Sequence, residues 1–534
     1  MPTQEIEYKL QLEENAAGRL VPTVVNGRVQ TPYLGVGQYK PAGRKAAPPI
    51  RTAADYPENG DKRVPDLETA LRCCGLRDGM VISNHHHLRD GDSVASMALH
   101  AAARLGVKDL MWFPSASFPS QVGAIELMEN GTIHHIEGSM NGPLGDYCTQ
   151  GKMRGMGVLR SHGGRWQAVQ DGEVHIDIAV IAAPTADAFG NADGSHGKSA
   201  CGSLGFALAD SIYADHVIVV TDNLVPFPCV PWQIQGNNVD YVVQVESIGD
   251  PAKIVSGTTQ ITRSPDRLLI AEYVAKFMRA AGIMREGFSF QAGSGGIALA
   301  FVDYLKRMMK EAGIKARFVR GGSTKYLVEL LQEGLTDYIL DGQTFDLDAV
   351  KSIASDAHHI ATSPFTSYNY HGKGNFASMV DAVVLGATEV DVNFNGNVVT
   401  HSDGRLLHGI GGWQNCLAAG CTILAVPSFR DRIPVIVDQV TTLTGPGELI
   451  DVVVTERGIA INPRRQDLTD AVKGSGLPIR PIRDIKAEVE RICGGKPARP
   501  KPGDRPVAIV KWVDGTVLDT IWKVSNSTLA NPAL

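Results

Sequence analysis

The sequence predicts an α/β protein of two similar tandem domains with mainly parallel sheets, flanked by an N-terminal arm and a C-terminal β-hairpin. Two observations carry the tandem core, an internal repeat and a steady alternation of helical and strand patterns. Gly75-Leu-Arg-Asp-Gly-Met resembles Ile283-Met-Arg-Glu-Gly-Phe, and Gly106-Val-Lys-Asp-Leu resembles Gly313-Ile-Lys-Ala-Arg317. Ile125-Glu-Leu-Met-Glu-Asn-Gly resembles Val328-Glu-Leu-Leu-Gln-Glu-Gly, and Asp177-Ile-Ala-Val-Ile resembles Asp381-Ala-Val-Val-Leu. The four landmarks keep one order, each followed by its copy 203–208 residues later. A self-similar period of this length marks a duplicated unit. The expected divisions are an arm over 1–64, domains over 65–270 and 271–495, and a linker with the hairpin over 496–534.

The elements follow in order. Residues 1–64 hold scattered prolines, among them Pro22, Pro32, Pro41, Pro48, Pro49 and Pro57, and little periodicity, which predicts a partly extended arm. Leu67 to Gly75 predicts a helix, Met80–Ser83 a strand, and Ser93 to Leu105 a helix closed by Gly106. The apolar runs from Asp177 and Val217 read as buried strands. In the second half, Ile297 to Ala312 predicts a helix, and Phe318-Val319, Asp381–Leu385, Thr422–Val426 and Ile450–Val454 predict strands. Strands alternating with helices favour parallel sheets covered on both faces. Two apolar runs from Val507 and Thr516 flank Asp514-Gly515, a hairpin signal.

Composition excludes several classes. Apolar residues make up 43% and charged residues 20%, with a net charge of −6. That balance is ordinary for a globular protein and opposes a nucleic-acid footprint, which is basic and clustered. No run reaches the ~18 apolar residues of a membrane span, and the first residues lack the apolar segment of a secretory signal. Eight cysteines without a paired C-x-x-C set predict reduced thiols in a cytoplasmic protein.

The richest chemical segment is Glu286 to Gly296, where a strand runs through Gly293, Ser294, Gly295 and Gly296 into a helix. Backbone N–H groups at such a turn can hold a phosphate, a carboxylate or the oxyanion of acyl transfer, although many such turns are only tight turns. A second turn contains Gly411 and Gly412, near Glu389, Asp391, Asn395, Asn397 and Asp403. The matching place in the first half holds Asp187, Asn191, Asp193, Lys198, Cys201, Ser203 and Gly205. Such placement suggests a site where the two domains face each other. His85-His86-His87 precedes Arg89. Three successive histidines point in different directions and make a poor metal site, so no metal is expected; a solvated loop and an anion-binding segment both remain open. Arg317, Arg320, Lys325 and Lys373 are further cations near strand ends, each fitting a surface position as well as a ligand. Cys201 reads as a packed thiol.

On these residues the chain resembles the citrate lyase alpha subunits, within the CoA-transferase superfamily. The resemblance rests on His85, His86, Arg89, Gly91 and Asp92; on Gly197, Lys198 and Cys201 to Gly205; on Glu286 to Gly296; and on Ser402-Asp403-Gly404 with Gly411-Gly412. It covers about residues 62–530, with His87 and Asp90 departing from the pattern. It implies two CoA-transferase-like domains and conversion of an acetyl-S-carrier plus citrate to a citryl-S-carrier plus acetate. The transfer would use no cofactor bound covalently to this chain. It would act on the CoA-like prosthetic group of an acyl-carrier (gamma) subunit, or on CoA, in an oligomeric complex with a lyase (beta) subunit.

The implied catalytic residues are Gly295, Gly296, Gly411, Gly412 and Glu389. Substrate would meet His85, His86, Arg89, Lys198, Ser203 and Arg317, and the carrier's prosthetic group Gly293, Ser294 and Asn397. Relatives that use free CoA carry a nucleophilic Glu, which the repeat's register places near Arg317; an arginine there implies transfer without a covalent enzyme intermediate. The alternatives are a free-CoA transferase with a glutamyl intermediate on Glu389 or Glu286, an alpha subunit for a citrate analogue such as citramalate, and a ligand sensor lacking any visible output domain.

Overall fold

The structure is a computed structural model that describes residues 11–39, 48–255, 260–370, 372–496 and 503–524. Residues 497–502 of the expected linker lie outside the described residues.

Two large sheets organise the chain. The first is wholly parallel, in the order Arg63–Val64, Tyr241–Gln244, His216–Thr221, Ile178–Ala183, Val81–Asn84, Leu110–Pro114 and Ile133–Ile136. The second runs Gly458–Ile461, Val452–Thr455, Thr422–Ala425, Ala382–Leu385, Phe288–Ala292, Ala316–Ser323, Ile339–Thr344 and His359–Ala361. Its strands are parallel except Gly458–Ile461, which pairs antiparallel at one edge. Counted from Tyr241–Gln244 and from Val452–Thr455, six strands follow one another in the same relative chain order in both sheets.

The local causes are those of buried parallel sheets. Every residue of Ile178–Ala183 is buried, so the strand carries a continuous apolar run rather than an alternating one. The helix Val94–Arg104 buries Val94, Ala98, Leu99 and Ala102 on one stripe and stops before Gly106, whose φ of +80° a side chain would resist. The helix Gly296–Ala312 ends on Gly313 at φ +62°.

The repeat extends into the turns. Asp187 accepts hydrogen bonds from the N–H groups of Phe189, Gly190 and Asn191 and from the Asn191 side chain. Asp391 accepts from the N–H groups of Asn393 and Asn395 and from the Asn395 side chain. Asn191 and Asn395 then each accept from a glycine N–H, Gly236 at 2.9 Å and Gly447 at 2.8 Å. The counterpart of Asn191 is therefore Asn395, not Asn397.

The sequence-based divisions shift slightly. The edge strand Arg63–Val64 already belongs to the first sheet. The helix Pro265–Ala280 straddles position 270, and its Ile270, Ala271 and Val274 lie in the core beneath the second sheet. A shared core joins Leu99, Trp112 and Ile136 of the first half to Val383, Trp413 and Leu424 of the second and to Leu518 of the hairpin.

The hairpin pairs Pro506–Lys511 with Val517–Trp522, and Gly157–Leu159 adds a parallel third strand. The arm seals it: the Asn15 amide donates to the carbonyls of Val517 at 3.0 Å and Leu518 at 2.8 Å. A buried ion network fastens the group. Arg160 bridges Glu137 at 2.6 Å and Glu173 at 3.0 Å, Arg28 pairs with Glu137, and Lys511 reaches Glu173 at 2.9 Å and Gln30 at 2.7 Å. Burial opposes the Glu173 charge, but Arg160 and Lys511 outweigh it and hold the carboxyl at about 2. Burial draws the Lys511 ammonium down to about 8, so both ends stay charged at neutrality.

The Glu173 charge should stabilise the fold fully above pH 4.5, its ordinary value, and lose that effect as pH falls towards 2. Glu173→Gln should therefore lower Tm by about 2 °C or more at pH 7. Melting curves of both proteins from pH 7 to 2.5 should converge through that window, and a constant gap would refute the assignment.

Candidate active site between the two sheets

In parallel sheets ligands gather beyond the carboxyl ends of the strands. Here Val81–Asn84 runs into the three histidines, and Phe288–Ala292 runs into Gly293. The histidines are not a solvated loop: their exposures are 4%, 4% and 2%. His85 meets Asp210 at 2.7 Å, and Arg165 donates to both oxygens of the same carboxylate at 2.8 and 2.7 Å. With its side chain fully enclosed, His85 braces the sheet rather than meeting substrate. His87 stacks on it with ring centroids 5.6 Å apart.

His86 is the one that crosses to the other half. Its Nε2 donates to Gln343 Oε1 at 3.2 Å, while Gln343 Nε2 donates to the His86 carbonyl at 3.2 Å. The Ser115 hydroxyl donates to Nδ1 at 2.6 Å, which fixes the neutral tautomer. Phe206 and His162 flank the ring at 4.5 and 5.3 Å between centroids. Burial, with the neighbouring His162, His87 and Arg89, holds His86 well below the ordinary imidazole range. Burial and then Arg165 bring His162 down to about 3. The imidazoles of His86 and His162 are therefore neutral at physiological pH.

His162 ties this cluster to the glycine turn. Its N–H donates to the Gly411 carbonyl at 2.9 Å, and its Nε2 lies 3.9 Å from where a Gly411 Cβ would be. Gly411 takes φ +63°, and a Cβ on Gly412 would sit 2.7 Å from the Tyr368 hydroxyl. Beside Tyr368 lies Arg320, its guanidinium 4.9 Å from the ring centroid and its Nη1 donating to Gln291 at 2.7 Å. The other turn flanks the same strand end: Gly293 N–H donates to Val384 O at 2.9 Å, and the indole of Trp413, next to Gly412, donates to Gly386 O at 2.8 Å. Gly293, Ser294 and Gly296 are partly exposed and Gly295 is exposed, so the turn is open to a ligand.

The remaining expected residues divide. Ser203 bridges the halves, its hydroxyl donating to Thr362 O at 3.0 Å. Arg89 holds φ +54° and lays its guanidinium 4.4 Å from Phe345 and 5.3 Å from Phe118; burial lowers it to about 10, so it stays charged. Lys198 is exposed and donates to Glu246 O at 2.6 Å, apart from the cluster. Arg317 is exposed at the start of Ala316–Ser323, the wrong end of the strand for the site. Two residues separate it from Arg320, which the strand carries inwards.

Glu389 is buried with both oxygens engaged, one by Asn397 at 3.0 Å and the Thr441 N–H at 2.7 Å, the other by the Thr441 hydroxyl at 3.0 Å. A carboxylate so held is a structural acceptor rather than a nucleophile. Asn397, fully buried against Glu389 and Thr400, cannot reach a prosthetic group. Cys201 is buried, which pushes its thiol up and leaves it packed, as expected. Among the described residues one group of potential metal donors occurs, His175, Asp177 and Asp215, at the opposite ends of the strands.

Sequence reading missed His162, Gln291, Gln343 and Tyr368, and passed over Arg320. His162 had a local signal, since Ser161 caps a helix that opens on His162-Gly-Gly, accepting from Gly164 N–H at 3.0 Å. The others come together only through strand register.

The family described as citrate lyase, alpha subunit, matches residues 60–524. The chain is 40% identical to the citrate lyase alpha chain of Klebsiella pneumoniae over 93% of its own length and 96% of that protein. It is 40% identical to that of Haemophilus influenzae over 89% and 94%. A Streptococcus mutans protein described as an alpha subunit of citrate lyase, solved in complex with citrate, superposes with a TM-score of 0.90 at 38% identity, covering 96% of this chain and all of that one.

Two outcomes follow from this geometry. Gly412→Ala should fold but lose about 10²-fold in turnover, because its methyl displaces the Tyr368 hydroxyl. Wild-type circular dichroism with unchanged kinetics would count against the site. In NMR, the signal absent from His162→Gln should not titrate between pH 5 and 8; an inflection near 6.5 would contradict the neutral imidazole.

Proposed function

We propose that this chain, which belongs to the family of citrate lyase alpha subunits, moves a carrier thiol from an acetyl group to citrate. A citrate carboxylate oxygen bonds to the acetyl thioester carbon, and the carbonyl electron pair moves onto oxygen. The tetrahedral intermediate expels the carrier thiolate and leaves a citryl–acetyl anhydride. The thiolate then attacks the citryl carbonyl, acetate departs, and the citryl thioester remains. No general base is required, because the attacking group is already an anion and the thiolate is a good leaving group. The protein's task is to hold two anions together and stabilise oxyanions.

The observation that carries this reading is the junction of His86 and His162 from one half with the Gly411–Gly412 turn of the other. It fixes the Gly411–Gly412 backbone across the seam, with no free carboxylate among the cluster residues named above. The occupied oxygens of Glu389 favour direct transfer over a glutamyl intermediate there. The open Gly293–Gly296 turn suits the phosphates of a CoA-like arm, and Arg89 suits citrate.

Alpha chains of this family imply a multi-subunit complex. The finer reading is a carrier subunit with a CoA-like arm and a lyase subunit, in the cytoplasm. No helix among the described residues is long and apolar enough to cross a membrane. The matching strand orders support reading 65–270 and 271–495 as two copies of one CoA-transferase-like unit.

Acetyl-CoA and citrate incubated with the purified chain should give citryl-CoA by mass spectrometry, with no acyl-glutamate trapped by hydroxylamine or borohydride. Citramalate, succinate and butyrate run in parallel should exchange more slowly. Exchange with butyrate but not citrate, together with a trapped glutamate, would sink the proposal.

A further inference from the structure

Arg320 is 0% exposed, yet its Nε and Nη2 find no hydrogen-bond partner and no carboxylate pairs with it among the described residues. Enclosing a guanidinium without a counter-charge is costly, and such a charge is tolerated where its field is used. Its surroundings indicate the use. Gln291 accepts from Nη1 and in turn faces Cys416, on the helix that follows Gly412. The ring of Tyr368 lies against the guanidinium, and its hydroxyl lies under Gly412. Gly163 in the other half packs on the Tyr368 Cβ, 2.7 Å from where its own Cβ would be, which holds the ring in place.

We propose that Tyr368 is a further hydrogen-bond donor to the oxyanion formed at the Gly411–Gly412 turn, and that Arg320 is the positioning residue whose fixed charge supports it from below. This rests on the acyl-transfer reading given above. As the carbonyl electron pair moves onto oxygen, negative charge appears above Tyr368. A buried cation one ring away attracts that charge strongly, because little water screens it. Ground-state binding is affected less, since Arg320 does not touch the acceptor. Removing the cation should therefore slow turnover while relieving the cost of its burial, the exchange of stability for activity expected at a strained site.

The test compares wild type, Arg320→Met, Arg320→Lys and Tyr368→Phe as full chains with acetyl-CoA and citrate. Arg320→Met should lower kcat about 100-fold with the KM for citrate changed less than about threefold, and should melt about 2 °C or more above wild type. Arg320→Lys, which keeps the charge, should retain at least about tenfold more activity than Arg320→Met. Tyr368→Phe should lose about 10- to 100-fold in kcat. An Arg320→Met protein that melts lower than wild type, or that turns over normally, overturns the proposal. If Arg320→Met does not fold, a Tyr368→Phe protein with wild-type kcat overturns it alone. A wild-type chain that makes no citryl-CoA instead sinks the transfer reading, and this inference with it.

Discussion

The two halves meet where there is no room for a Cβ. Gly202 lies against Thr344, Gly205 against the Thr362 carbonyl, Gly163 against Tyr368 and Asn415, and Gly409 against Ser139. Each contact brings backbone of one half onto the other at a distance that alanine would forbid. The rest of the site depends on this approach. It lets Ser203 reach Thr362, His86 reach Gln343, and the start of the His162 helix hydrogen-bond the Gly411 turn. The glycines that look in sequence like ligand cradles are thus of two kinds. Those at 293 and 295 leave a turn open, whereas those at 163, 202, 205 and 409 let two surfaces close.

That distinction explains how legible the sequence was. Parallel strands buried on both faces advertise themselves as unbroken apolar runs, so Ile178–Ala183 and Thr422–Ala425 were read within a residue or two. Helix ends at Gly106 and Gly313 were equally plain, since a positive φ demands glycine. The pairing of sites across the repeat was less so. Asn397 and Asn191 both follow a glycine, but the hydrogen bonds follow spacing from the aspartate and select Asn395.

Charge was the hardest property to place. Arg317 and Arg320 stand on one strand, three positions apart, and the register shifts at Arg317. One is exposed and the other is fully buried. Nothing local marks the difference, because Phe318 and Val319 between them give no alternation. Glu389 misled in the opposite way, since an acidic residue beside glycine-rich chain reads as reactive until Thr441, 52 residues on, is seen to occupy it.

The union of arm and hairpin has a consequence for the order in which the molecule can be completed. Asn15 finds its partners 502 and 503 residues later, and Gln30 finds Lys511 481 residues later. On the ribosome, the strand Gly157–Leu159 emerges long before the hairpin strand that pairs with it. Its edge and the arm must wait through the synthesis of the whole second half, and such exposed edges are what chaperones shield. A chain truncated before residue 506 would lack the closing strands altogether, so a late-made segment completes an early one.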